Sequence, residues 1–131
     1  MLDIPVIANG DVWTLEDFHR CQDQTGCRHF MIGRGALANP RLPYQIAKEL
    51  GIGTRPEWNG DWLPLLRKLV AYTAEFTDMT TAKSVTRLKQ WLKLAAIFGD
   101  FKDFERVKLA RDTDEFFAYF ADIGPALATA I

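Results

Sequence analysis

Several things are scarce in this sequence, and each scarcity closes off a class of protein. There are two cysteines and two histidines in 131 residues. Cys21 and Cys27 are accompanied by no second cysteine pair or histidine pair, so a structural zinc pattern is excluded. His19 and His29 have no carboxylates at ligand spacing and read as surface or structural groups rather than metal ligands. No apolar run approaches the roughly 18 residues that a membrane-spanning helix needs. The opening residues show no basic start leading into an apolar stretch, so a reducing, cytoplasmic setting is the expectation. Both cysteines then read as small buried hydrophobes. Net charge is also scarce, at −1 from 16 basic and 17 acidic side chains, and gives no global case for a nucleic-acid partner. Repeats and low-complexity stretches are absent.

What is present begins with two short apolar runs, each ending in a glycine-bearing polar turn. Ile4–Ala8 leads into Asn9-Gly10-Asp11, and His29–Ile32 leads into Gly33-Arg34-Gly35. The runs fit buried strands. Between them lies an amphipathic segment with Thr14 and Asp17 in capping-box positions and Gly26 where a helix C-cap belongs, which predicts a helix over 15–24. Strand, helix, strand implies a parallel pair. Both polar turns then lie at the carboxyl edge of the strands, where α/β proteins bind ligands and where barrels often hold a phosphate. Glycines let backbone N–H groups approach an anion, a short helical turn over 36–38 would present its own N–H groups, and Arg34 adds a charged fork. A Gly-Arg-Gly turn alone is a weak signal; paired with Asn-Gly-Asp one strand–helix unit earlier, it favours a phosphate-binding half-site.

These stretches, Ile-Pro-Val-Ile-Ala-Asn-Gly-Asp and Met-Ile-Gly-Arg-Gly-Ala, resemble the end of the flavin barrel of tRNA-dihydrouridine synthases. The likeness continues through Arg87-Leu88-Lys89-Gln90-Trp91-Leu92, which points to the bacterial C-type subgroup. It covers the chain from about Ile4 onward. The resemblance implies an oxidoreductase in which FMN, reduced by NADPH or NADH, reduces a uridine C5=C6 bond in tRNA. By carry-over Asn9, Gly10, Asp11, Gly33 and Arg34 would line the FMN, chiefly at its ribityl phosphate. The family's catalytic cysteine sits on an earlier barrel loop; neither Cys21 nor Cys27 matches it, so no catalytic residue is assigned and the chain is expected to be inert alone.

A closed barrel needs eight strands and typically about 250 residues, and two strands are legible here. The expected fold is therefore the last strand–helix–strand of a (β/α)8 barrel over 1–39, with some exposed apolar surface and possible self-association at its edge, followed by an all-α portion over 40–131. The boundary falls at Asn39-Pro40, a strong breaker. Helices are expected over 41–50, 61–77, 81–98, 101–111 and 114–122, with Asp61 and Thr113 as N-caps and a last short helix from Pro125. Leu65, Leu66, Leu69, Val70, Tyr72, Thr73 and Phe76 outline an apolar face, and Phe98, Phe101, Phe104, Phe116, Phe117 and Phe120 read as core.

Charge distribution singles out one helix. Residues 79–111 carry eight basic and three acidic side chains, while residues 112–131 carry four acidic and none basic. At about 100° per residue Val85, Leu88, Trp91, Leu92, Ala95 and Ala96 share one side, and Lys83, Arg87, Lys89 and Lys93 occupy the rest. No acid lies between Met79 and Gly99. A single-sign face repels itself and suggests an external anion, with RNA the natural one; the bland alternative is a solvated face balanced by the acids of 112–122. The family resemblance tilts this toward tRNA, with Arg87 and Lys89 first and Lys93 and Lys83 next. Trp91 reads as core rather than as a stacking platform. Two rival functions remain: a stand-alone helical RNA-binding module, and the barrel end of another flavin oxidoreductase.

Overall fold

The computed structural model describes residues 3–53, 55–77 and 81–123. It is mostly helical, with one small sheet of two parallel strands, β1 (Ile7–Ala8) and β2 (His29–Phe30). Ile7 pairs with His29 and Ala8 with Phe30. The strands are shorter than the apolar runs that suggested them. Among the described residues each has a single neighbour strand, and Met31 N–H extends the pairing by donating to Ala8 O at 2.9 Å. With one partner strand the flanking residues have no ladder to join, and Ile4, Val6, Ile7 and Met31 are exposed, as expected of a strand pair that cannot cover its own faces.

Helix α1 (Leu15–Thr25) joins the strands. Thr14 accepts from the Asp17 N–H, the Asp17 carboxylate accepts in return from the Thr14 N–H, and Gly26 closes the helix in the left-handed conformation at φ 64°. After β2 come α2 (Arg34–Ala38) and α3 (Leu42–Glu49). Val12, Phe18, Leu42 and Ile46 form a small apolar cluster, so α3 packs with the strand–helix–strand unit across the Asn39-Pro40 turn.

The larger core belongs to α4 (Trp62–Phe76), α5 (Thr81–Phe98), α6 (Phe104–Val107) and α7 (Thr113–Ile123). Leu66, Leu88, Leu92, Val107 and Phe116 are almost wholly buried there. Asp61 caps α4 through Leu63 N–H at 3.1 Å. Three helix expectations are corrected. The segment predicted as a helix over 101–111 is helical only at 104–107, because Leu109 and Ala110 N–H groups bond three residues back, to Arg106 and Val107, and tighten the chain into turns. Thr113 is the first helical residue rather than the N-cap; Asp112 takes that role, accepting from Glu115 N–H at 2.8 Å. Tyr72 and Phe76 are exposed rather than part of the buried face of α4, which is carried by Trp62, Leu66 and Thr73. The last helix expected from Pro125 lies outside the described residues.

Helix α2 is held between the two clusters. A Cβ on Gly35 would sit 2.0 Å from Val12 O, and one on Gly99 would sit 2.2 Å from Ala38 O. Both positions need glycine because backbone occupies the space of a side chain. Trp91 Nε1–H adds a hydrogen bond to Leu37 O at 2.7 Å. Trp91 thus packs against the core, as expected, with its polar edge tied to α2. Phe98 departs from the core expectation: it is half exposed and stacks on Trp13, with ring centroids 4.0 Å apart.

Candidate functional site

Because β1 and β2 are parallel and joined through α1, the turns that follow them emerge at one edge. Asn9, Gly10, Asp11, Gly33 and Arg34 line a single cleft of about 350 Å³. All five sequence-predicted residues are therefore brought together. Positions that would hold a Cβ at Gly10 and Gly33 are open, with no atom within 4 Å, so backbone there is accessible. Gly33 is the N-cap of α2 and has no side chain to occupy the helix start. Asp11 adopts a left-handed backbone, φ 43°, which Asp tolerates better than most residues.

Arg34 Nη2 donates to Asp11 Oδ1 at 2.9 Å. The side chains are 65% and 75% exposed, and an exposed ion pair is worth only about 0–1 kcal/mol. A doubly charged anion can displace it. The guanidinium also lies over the Trp13 ring, 5.4 Å from its centroid, and Trp13 in turn stacks on Phe98. Sequence reasoning missed this column; its one signal was an aromatic beside the Asn-Gly-Asp turn. Cys21 in α1 and Cys27 just after it, expected to be buried, are half-buried free thiols, and neither lines the cleft. His19 lies 3.7 Å from Glu49, and the described residues contain no cluster of three or more metal-ligating side chains.

The basic residues of α5 divide into two settings. Lys83 and Arg87 line a shallow groove of about 500 Å³ with Thr86 and Gln90, and Lys93 is exposed further along the helix. Lys89 is half-buried at the edge of this face. It faces Glu115 of α7, whose carboxyl is held below the usual range first by hydrogen bonds from Arg111 and in smaller part by the Lys89 charge. Glu115 of the acidic segment thus balances Lys89 in part. No helix among the described residues is long and apolar enough to cross a membrane.

The profile of the Dihydrouridine synthase (Dus) family matches residues 1–107, and the chain belongs to that family. It is 41% identical over 95 residues to the tRNA-dihydrouridine(16) synthase of Pseudomonas syringae pv. tomato, a match covering 72% of this chain and 29% of the relative. The enzyme of the same name from Cupriavidus necator is 37% identical over 92 residues, covering 70% of this chain and 28% of the relative. That from Neisseria meningitidis is 33% identical over 122 residues, covering 87% and 35%. The chain therefore spans between 28 and 35% of the length of these relatives, in their C-terminal portion.

Proposed function

We propose that this chain is the C-terminal part of an FMN-dependent tRNA-dihydrouridine synthase, with the last strand–helix–strand of a flavin barrel over 1–39 and a tRNA-binding helical domain over 40–131. The observation that carries the reading is the meeting of two polar turns, at Asn9–Asp11 and Gly33–Arg34, in one cleft. The residues suit a flavin phosphate: two glycines with open backbone, a permanently charged arginine at the rim, and an exchangeable partner in Asp11. Arg34 would neutralise the ribityl phosphate in exchange for its exposed contact with Asp11. When bound, the flavin supplies hydride transfer from NADPH or NADH to a uridine C5=C6 bond. The exposed apolar strand residues are accounted for as surface that packs on the rest of the barrel.

On the other side Lys83, Arg87, Lys89 and Lys93 would contact tRNA phosphates, and Lys89 exchanges part of its contact with Glu115 for the RNA. The names of the relatives make uridine 16 the position to examine. Among the described residues no cysteine lines the cleft, and in this reading the 131 residues alone are inert and the activity needs the remainder of a barrel.

The test is dihydrouridine content at position 16, measured by mass spectrometry of tRNA from cells with the gene intact, deleted, or carrying Arg34→Ala. Loss on deletion and strong reduction in the variant are expected. Unchanged dihydrouridine on deletion overturns the assignment, and uridine reduction by the isolated 131-residue chain refutes its inertness. The basic face of α5 separately favours RNA binding even without catalysis. Affinity for a tRNA transcript then falls steeply with salt and weakens on Arg87→Ala; salt-indifferent binding rejects that role.

A further inference from the structure

A second cleft, of about 520 Å³, opens where the α2–α3 turn meets the start of α4 and the segment after α5. Its walls include Trp58, Trp62 and Phe101, and Trp58 and Trp62 meet edge to face with centroids 5.0 Å apart. Trp58 Nε1–H donates to Asp61 O at 3.1 Å, which fixes the indole and leaves its ring as an apolar wall. Arg41 lies over Trp58, with Cζ 5.4 Å from the ring centroid. Its nearest carboxylate is Glu57, at 3.9 Å from Nε, too far for a hydrogen bond. Arg41 Nη2 is buried and has no hydrogen-bond partner among the described residues.

The charge of the lining selects the ligand. Arg41 and Lys102 face Asp100 and Asp103 in the same cleft, so its balance is near neutral. A phosphate would meet two carboxylates there. A planar, neutral group that offers both acceptors and donors, set against aromatic rings and a guanidinium plane, matches instead. Unpaired nucleobases have this chemistry, and proteins read single-stranded RNA by stacking such bases on aromatics and arginine. Asp100, Phe101 and Lys102 also line an adjoining cleft of about 510 Å³ that reaches Lys93 on α5. Lys93 and Lys102 stand there beside Asp100 and Glu105, so this cleft joins the basic helix to the aromatic cleft without net charge.

We propose that this cleft receives one unpaired base of the RNA whose phosphates engage α5, stacked against the wall formed by the Trp58 ring and the Arg41 guanidinium plane. The inference rests on the RNA-binding reading of α5 and extends it to a site of different chemistry. The test titrates an unmodified tRNA transcript against the chain and against Trp58→Ala, Trp58→Phe, Arg41→Lys and Arg87→Ala, over a series of salt concentrations. Trp58→Ala and Arg41→Lys are expected to weaken binding about 5- to 150-fold, the range for loss of one stacked base. Their salt slope stays that of the unaltered chain, Trp58→Phe stays near it in affinity, and Arg87→Ala lowers the slope. If Trp58→Ala does not fold, Arg41→Lys, which keeps the charge, decides. Unaltered affinity in a folded Trp58→Ala or in Arg41→Lys overturns the base cleft and leaves the α5 reading standing when Arg87→Ala still weakens binding. Equal loss from Trp58→Phe and Trp58→Ala marks a structural role and overturns it too. Absence of any tRNA binding overturns both.

Discussion

The two apolar clusters of this chain are held together in different ways. The helical part surrounds Leu66, Leu88, Leu92 and Phe116 with side chains from four helices, and these residues are shielded on every side. The strand–helix–strand part has a cluster of four buried residues, and its sheet residue Ile7 faces solvent. Stability proportional to apolar area removed from water is concentrated in the first and thin in the second. The smaller part keeps its shape through local devices, such as the capping box at Thr14, and through α2, which is pressed onto the end of α5. The cleft with Arg34 therefore sits on the less self-sufficient half. Its geometry depends on α2 being seated from both sides.

The largest expected effect breaks the stronger half. Leu88 is fully buried in the main core. Leu88→Ala should lower unfolding stability by about 2–5 kcal/mol through lost transfer energy and the remaining cavity. Urea denaturation followed by circular dichroism checks this, and a loss under about 1 kcal/mol would mean that the helical core is looser than its burial implies. A smaller effect tests the seam. Gly99→Ala places a methyl group against Ala38 O, and that contact must open by shifting backbone. A cost of about 1–3 kcal/mol is expected, typical of overpacking. Loss of the Trp13–Phe98 stack should accompany it, read as a change in near-ultraviolet circular dichroism. An unperturbed stack would show that the two halves keep their contact without close approach at Gly99.

Legibility in the sequence follows the same division. The helix caps at Thr14, Gly26 and Asp61 were readable because each depends on residues a few positions away. The buried face of α5 was readable from its period, since Val85, Leu88, Leu92 and Ala95 have no polar competitor at those positions. The meeting of the two polar turns followed from one inference, that the strands are parallel. What failed depends on distant neighbours. Phe98 has core spacing but ends in a stack with Trp13, 85 positions earlier in the chain. The helix expected over 101–111 ends early because its carbonyls are drawn into three-residue turns. Arg41 and Trp58 carried no motif, and become neighbours only when the loop before α4 folds back on α3.

The smallest expected effect uses pH to ask whether α6 and α7 stay docked when the rest is intact. Burial of the Tyr119 hydroxyl, reinforced by the nearby Asp103 carboxylate, pushes it up to about 12 from an ordinary value near 10. Burial is the largest cause, and among the described residues the hydroxyl has no acceptor within strict hydrogen-bond geometry, so Asp103 adds the smaller part. The folded chain therefore holds this proton more tightly than the unfolded one. The contribution to stability is fully present below about pH 10 and is lost as pH rises toward 12. Arg106, whose guanidinium lies 5.2 Å from the Tyr119 ring centroid, offsets part of the shift because it favours the phenolate. Tyr119→Phe removes the titrating group and keeps the ring against Phe120. The variant should lose less stability between pH 10 and 12 than the unaltered chain, measured by urea midpoint at each pH. Parallel pH profiles would mean that Tyr119 reaches solvent before the helices separate, and that α7 is the part of the helical core that opens first.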